Sequence, residues 1–177
     1  SGSLIACGLV LGFTIGEMEE LLIKLDFKEF KDINSEGILT FFENYGLDNC
    51  QQFEKLFRIM IKKKTGNENI NFHELYLLTS KTLTIIATNL NSKKPTYFSH
   101  KNTPYVKVVD ALIASISLPI LYFPKKIDNE LYLDGGITDN FGIGIFKENK
   151  EETMGALIMS KFKNKEIESF YDIITSL

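Results

Sequence analysis

The sequence predicts an α/β domain, in which helices pack against a central sheet. Apolar residues recur at helical spacing through the first part of the chain, and residues 82–88 then form a β-branched, alternating run that is typical of a strand. Strand-like and helical segments follow one another after that run. Because such mixtures fold as layers around one hydrophobic core, and 177 residues are enough for one such core, we expect a single domain over residues 1–177.

The first two helices have clear ends in the sequence. Residues 4–11 are apolar and are followed by Gly12, a residue type that commonly ends helices. Thr14 and Glu17 then match the Ser/Thr-x-x-Glu capping box, which predicts a second helix that continues to about Leu25.

Similar signals predict the remaining elements. Helices are expected over residues 39–44, 51–65, 106–117 and 167–174 and from Asn71 onward, with Gly46, Gly66 and Pro119 as stops. Strands are expected over residues 82–88, 95–99, 130–133 and 156–160. The order of these strands in a sheet does not follow from the sequence.

The charge of the chain is close to balanced. It has 20 basic and 23 acidic side chains and a net charge of −3, so it has no strong field of one sign for nucleic acid or anionic lipid. Residues 3–13 are too short an apolar run to cross a bilayer and lack a preceding basic region, so neither a transmembrane segment nor a signal peptide is expected. Cys7 and Cys50 lack disulfide or metal spacing, which favours a reduced, intracellular setting.

Few side chains qualify for catalysis. His73 falls at a predicted helix start and His100 in a polar loop, and a surface role is the favoured interpretation of both because neither belongs to a motif with a known mechanism. The His-Glu-x-x-His, Walker A and Cys-x-x-Cys motifs are absent from the sequence. We therefore expect neither a metal ion nor a nucleotide cofactor.

The run Asp134, Gly135 and Gly136 has two interpretations. Asp-Gly after an alternating strand is a strong signal for a β-hairpin turn. Residues 137–142, however, are polar and glycine-spaced and do not supply the alternating second strand that a hairpin needs. An aspartate at the end of a strand is instead well placed to point into a crevice, as active-site residues of α/β proteins do. Asp134 is thus either a turn residue or a catalytic one.

The first residues of the chain are a second candidate. A Gly-x-Ser-x-Gly nucleophile elbow turns sharply from a strand into a helix, and only the tail of such a motif fits before the apolar helix. If Gly2 is its last glycine, Ser1 is the variable residue and the nucleophilic serine lies one position before Ser1. The alternative is that Ser1, Gly2 and Ser3 are a frayed terminus or an expression scar. The lack of a starting Met favours N-terminal truncation.

Two blocks in the second half carry a family resemblance. Residues 110–119 resemble the Ala-x-x-Ala-Ser-x-x-x-Pro helix and turn of the patatin-like phospholipase family, and residues 131–140 resemble its Asp-Gly-Gly/Ala block. Fifteen positions separate Pro119 from Asp134, in the family's order. Residues 1–13 and 83–90 are also similar to the family, in particular to its divergent viral or intracellular-parasite members.

The resemblance implies a fold and an activity. The fold is a three-layer α/β domain with a central, mostly parallel sheet, whose N-terminal strand and oxyanion loop lie before Ser1. The activity is a phospholipase A type of lipid acyl hydrolysis, in which a serine upstream of Ser1 and Asp134 form a dyad that needs no histidine or cofactor. Asp134 is the general base, and the serine forms an acyl-enzyme.

The resemblance also implies partners and an alternative. The substrate is a lipid or phospholipid at a membrane surface, and the protein is intracellular, soluble or peripherally membrane-associated, within a host cell if it is viral. Since neither the nucleophile nor the oxyanion loop is in the sequence, the alternative is a catalytically incomplete fragment or pseudoenzyme that binds lipid or a protein partner.

Overall fold

The computed structural model describes residues 2–23 and 41–157 and has the predicted α/β class. The chain divides into two compact units, Ser1–Asn140 and Phe141–Leu177. In the second unit, the described residues contain a 3-10 helix, Ile143–Glu152. Residues 156 and 157 form no strand there, and the rest of the predicted strand and the predicted helix over 167–174 lie outside the described residues. The single domain over residues 1–177 stays a prediction.

The first unit contains the helices and strands that surround the candidate site. In chain order they are α1 (Gly2–Val10), α2 (Ile15–Ile23), α3 (Phe41–Asn44), β1 (Gly46–Asp48), α4 (Gln51–Thr65), α5 (Phe72–Thr79), β2 (Ile85–Asn89), β3 (Lys94–Phe98), α6 (Val108–Ala114), β4 (Ile120–Tyr122), β5 (Lys125–Ile127), β6 (Glu130–Asp134) and a 3-10 turn (Gly135–Ile137).

The predicted capping box of Thr14 and Glu17 is present, and the predicted helix start at Asn71 has a second one. The Thr14 N–H donates to Glu17 Oε2 at 2.8 Å, and the Glu17 N–H donates to Thr14 Oγ1 at 3.2 Å. The same reciprocal pair joins Asn71 and Glu74 at the start of α5, at 2.8 and 3.0 Å. Each box satisfies two backbone groups that a helix start would otherwise leave without partners, so the start of both helices is a local property of the sequence.

The helix ends follow the predicted glycines in two cases. Gly12 after α1 and Gly66 after α4 have φ values of 77° and 75°, which a residue without a side chain adopts readily. The predicted end of the second helix at Leu25 and the predicted start of the next helix at residue 39 both lie outside the described residues.

The helix expected over residues 106–117 is shorter than predicted and ends at Ala114. Ser115 Oγ donates to the Leu112 carbonyl at 3.3 Å, and Ser117 Oγ donates to the Ile113 carbonyl at 2.8 Å. These hydroxyls occupy carbonyls of the last turn, as serine side chains do when they compete with the helix for backbone partners. The chain therefore leaves α6 before Pro119.

The strands form two sheets. β1 and β4 pair in parallel, and the other sheet has the order β3-β2-β6-β5 with antiparallel neighbours throughout. In the described residues, parallel pairing is thus confined to β1 and β4, which corrects the expectation of a mostly parallel sheet. Short connections account for two of the three antiparallel pairs, β2 with β3 and β5 with β6. The turn between β5 and β6 has two residues, Asp128 and Asn129, with φ values of 49° and 65° that suit a tight hairpin.

The core lies between α4, α6 and the four-stranded sheet. Its largest fully buried side chains include Phe57, Ile61, Ile85, Phe98 and Leu112. Six of the seven residues of α6, from Val108 to Ala114, are buried, so this helix runs through the centre of the unit. Its position determines where the following residues 115–117 lie.

A substitution in the parallel pair of β1 and β4 tests how tightly these two strands pack. A Cβ atom at Gly46 would lie 2.5 Å from the Tyr122 carbonyl carbon, whereas one at Gly16 in α2 meets nothing within 4 Å. We expect Gly46→Ala to lower the free energy of unfolding by about 1–3 kcal/mol, because the neighbouring backbone must move. Gly16→Ala is the matched control and should leave stability unchanged or raise it slightly. Urea unfolding measures both, and equal stabilities of the two variants would contradict the close packing.

Candidate active site

Asp134 is the last residue of β6. Its backbone lies opposite Ala87 of β2, and its N–H donates to the Ser117 carbonyl at 2.8 Å. The chain then enters the 3-10 turn, where the N–H groups of Thr138 and Asp139 both donate to the Gly135 carbonyl, at 3.1 and 2.9 Å. The hairpin interpretation of Asp134 is therefore wrong, because a tight 3-10 turn follows the strand in place of a returning partner strand.

The carboxylate of Asp134 is half-buried and held by the backbone. Its Oδ1 accepts the N–H of Gly136 at 2.7 Å. Burial raises the pKa of Asp134 above the usual value of an aspartate, and the hydrogen bond from Gly136 acts in the opposite direction. Burial disfavours the charged form, while a donor N–H favours it. The net effect is that the pKa of the Asp134 carboxyl group is higher than that of an aspartate in water.

Neither Gly135 nor Gly136 has room for a side chain. A Cβ atom at Gly135 would lie 2.5 Å from the Ile86 carbonyl oxygen, a distance that no real side chain tolerates. A Cβ atom at Gly136 would lie 2.9 Å from Asp134 Oδ1. The first glycine lets the turn lie directly on β2, and the second leaves room for the carboxylate.

Two side chains from the β2 and β3 hairpin hold this turn. Thr88 Oγ1 donates to the Asp134 carbonyl at 2.8 Å and lies 2.9 Å from Thr138 Oγ1. The Tyr97 hydroxyl donates to Asp139 Oδ2 at 2.8 Å, and this bond raises the pKa of Tyr97. The sequence pattern does not single out these residues, since a threonine and a tyrosine in predicted strands are ordinary sheet residues.

The other candidate lies at the start of α1. Ser1 lies outside the described residues, and Gly2 is the exposed first residue of the helix, with nothing within 4 Å of a Cβ atom placed there. Ser3 Oγ is 2.5 Å from Ser115 Oγ. The first turn of α1 therefore contacts residue 115, and Asp134 contacts residue 117. The two candidates predicted from the sequence lie against the same short segment.

The histidines lie elsewhere. His73 is exposed in the first turn of α5, and the ring of His100 stacks on Tyr76 with centroids 3.9 Å apart. Neither is among the hydrogen-bond partners that the described residues provide to Asp134. The surface interpretation of His73 agrees with its exposure.

Residues 2–23 and 41–157 contain neither a cluster of metal-binding side chains nor a membrane-spanning helix. Within these ranges no three or more His, Cys, Asp or Glu side chains gather where they could hold a metal ion. None of the helices described there has both the length and the apolar character needed to cross a membrane.

Comparison with known proteins identifies viral relatives. The chain is 30% identical over 184 residues to an uncharacterized protein of Acanthamoeba polyphaga mimivirus, an alignment that covers 99% of this chain and 61% of the relative. It is also 30% identical over 166 residues to a protein named "Probable lipid hydrolase" from Invertebrate iridescent virus 6, with coverage of 86% and 54%. The chain thus spans between half and two thirds of the length of these relatives.

The family comparison agrees with the arrangement of the site. The model of the family described as "Patatin-like phospholipase" matches residues 1–147. The matched range includes α1, the segment after α6 and the turn that carries Asp134, which are the parts whose sequence resembles this family. The chain therefore belongs to the patatin-like phospholipase family.

Proposed function

We propose that the whole protein is a lipid acyl hydrolase of the phospholipase A type that acts through a Ser-Asp dyad. Asp134 is its general base, and the nucleophilic serine immediately precedes Ser1. The observation that carries this proposal is the shared contact of α1 and Asp134 with residues 115–117. In this proposal, the serine on the elbow before α1 lies close to the segment that Asp134 also contacts.

The start of α1 supports the nucleophile half of the proposal. An elbow needs small residues next to the serine, and Gly2 is a glycine two positions after the proposed nucleophile. The N-terminus of a helix carries a partial positive charge and free N–H groups, which stabilise an oxyanion as it forms. The nine residues of α1 are enough for this field to develop.

The environment of Asp134 supports the base half. A carboxylate in water is a weak base for a serine hydroxyl, since its pKa is about 4. The raised pKa of Asp134 makes its carboxylate a stronger base, which brings its pKa closer to that of the serine hydroxyl. Because Oδ1 is engaged with Gly136, we assign proton transfer to Oδ2.

The reaction proceeds in two half-reactions. Oδ2 of Asp134 accepts the serine proton while the serine oxygen attacks the ester carbonyl. The intermediate collapses, the alcohol leaves with that proton, and the acyl-enzyme remains. Water then attacks the acyl-enzyme and gives a proton to Asp134, which returns it to the serine as the fatty acid is released. No step calls for a histidine, a metal ion or an organic cofactor.

The comparisons support a lipid substrate. The matched family is described as phospholipases, and the iridescent virus relative is named as a lipid hydrolase. We therefore propose a phospholipid at a membrane surface as substrate, reached by a soluble or peripherally bound protein.

The first test replaces the base. We expect Asp134→Asn in the whole protein to reduce fatty-acid release from phosphatidylcholine vesicles by roughly 10²- to 10⁴-fold, the usual contribution of a general base. Asn keeps the acceptor for the Gly136 N–H, so the turn retains its shape. A fluorophosphonate probe should label the serine before Ser1 in the unsubstituted protein, as mass spectrometry of that peptide can show.

Asp128→Asn is the matched control, because it makes the same chemical change in the exposed turn between β5 and β6. It should leave the rate unchanged. An unaltered rate in Asp134→Asn would refute the dyad. Vesicle binding without any turnover by the unsubstituted protein would favour a lipid-binding pseudoenzyme.

The pH dependence provides a second test. If Asp134 is the base, kcat/KM falls on acidification as its carboxylate takes up a proton. Because burial raises the pKa of Asp134, the midpoint of this acid limb should lie above that of an ordinary aspartate, about 3.9. Initial rates from pH 3.5 to 8 measure it. A midpoint at or below the ordinary value would contradict the burial of the reacting carboxylate.

Replacing Asp134 by Asn should raise the stability of the fold at neutral pH, although it lowers the activity. A group whose pKa is higher in the folded than in the unfolded state stabilises the fold at low pH and loses that contribution as pH rises through the folded pKa. Ionised Asp134 therefore costs stability at neutral pH. We expect Asp134→Asn to unfold at a higher temperature at pH 7, with the gain decreasing as the pH approaches 4. Asp128→Asn is again the control, and a loss of stability at pH 7 in Asp134→Asn alone would contradict the prediction.

A further inference from the structure

We propose that Thr88 is a positioning residue for Asp134 and that its hydroxyl sets the orientation of the Asp134 peptide group. This inference rests on the proposed function, because it concerns the same carboxylate. Thr88 belongs to β2, lies opposite Leu133 of β6 and is only 4% exposed. Its hydroxyl is therefore shielded from water and directed at the end of β6.

The hydrogen-bond directions around Thr88 can be assigned. A threonine hydroxyl has one proton, and carbonyl oxygens only accept. Thr88 Oγ1 must donate that proton to the Asp134 carbonyl, 2.8 Å away. The contact of 2.9 Å with Thr138 Oγ1 is then a bond in which Thr138 donates to Thr88. A relay of two hydroxyls thus runs from the end of the 3-10 turn to the carbonyl of Asp134.

Asp134 is held on both sides of its Cα atom. Its N–H is bound to the Ser117 carbonyl and its own carbonyl to Thr88. The orientation of that carbonyl also fixes the peptide that leads to Gly135, and hence the place where the Gly136 N–H meets Oδ1. Without the Thr88 hydroxyl, the carbonyl of Asp134 loses a buried partner that holds this peptide in its orientation. The carboxylate would then lose the geometry that proton transfer needs.

This role differs from that of a group that binds substrate. The hydroxyl of Thr88 touches the backbone of Asp134 and never the reacting atoms in the proposed mechanism. Its removal should therefore lower kcat and leave KM unchanged, because the loss affects alignment in the transition state. A purely structural threonine would change the amount of folded protein and leave kcat per folded molecule the same.

The test compares Thr88→Val with Thr88→Ser. Valine matches the shape of threonine without the hydroxyl, and serine retains the hydroxyl without the methyl group. We expect Thr88→Val to lower kcat per folded molecule by roughly 10- to 100-fold, which is the scale of a misplaced catalytic group. Thr88→Ser should restore most of that rate on phosphatidylcholine vesicles.

Thr79→Val is the matched control, since Thr79 Oγ1 also donates to a backbone carbonyl, that of Leu75, at 2.8 Å in α5. It should leave kcat unchanged. If Thr88→Val does not fold, Thr138→Val tests the same role. Thr138 is exposed, and its hydroxyl is hydrogen-bonded to that of Thr88. We expect a smaller fall in kcat for Thr138→Val, again with KM unchanged.

The outcomes separate this inference from the proposed function. If Asp134→Asn lowers the rate but Thr88→Val and Thr138→Val both retain full kcat, the positioning role is refuted and the dyad stands. The same holds if Thr88→Ser is as slow as Thr88→Val, because the hydroxyl is then not the feature that matters. If Asp134→Asn retains full activity, the proposed function itself fails.

Discussion

The close approach of Gly135 to the backbone of β2 is the constraint on which the candidate site depends. A side chain at this position would lie 2.5 Å from the Ile86 carbonyl oxygen, so the turn after β6 can rest on β2 only because residue 135 has none. This contact fixes the direction in which the chain leaves the strand. Asp134 is consequently presented at the end of β6, with its N–H and carbonyl both bound by neighbouring segments.

The second support of the site comes from the end of α6. The hydroxyls of Ser115 and Ser117 occupy the last carbonyls of this buried helix and end it early. The residues released from the helix then provide a hydroxyl that contacts Ser3 of α1 and a carbonyl that accepts from Asp134. The same side chains that shorten the helix thus create the segment that both α1 and Asp134 contact. If the helix continued to Pro119, residues 115–117 would lie within its last turn and would not form the separate segment whose Ser117 carbonyl accepts the N–H of Asp134.

Local features of this fold could be predicted from the sequence, and features that depend on distant partners could not. The capping box of Thr14 and the stop at Gly66 involve neighbouring residues, so their patterns are visible in the chain. β1, β4 and β5 have three residues each, which is too short for alternation to appear. The sequence pattern left Asp134 with two interpretations, and the family resemblance favoured the catalytic one. Thr88 could not be identified from the sequence, because its proposed role depends on a contact with a residue 46 positions away.

The environment of Asp134 combines two opposed effects that bear on its proposed role as a base. A stronger base needs a raised pKa, which burial provides, but a carboxylate that is buried without donors would remain protonated and could accept no proton. The N–H of Gly136 offsets part of the burial and comes from the backbone two residues along the same turn. Because the offsetting donor is a peptide group, its strength depends on the orientation of the turn. The orientation depends in turn on β2, through Gly135 and Thr88. The basicity of Asp134 is therefore a property of the packing of two strands as much as of the aspartate itself.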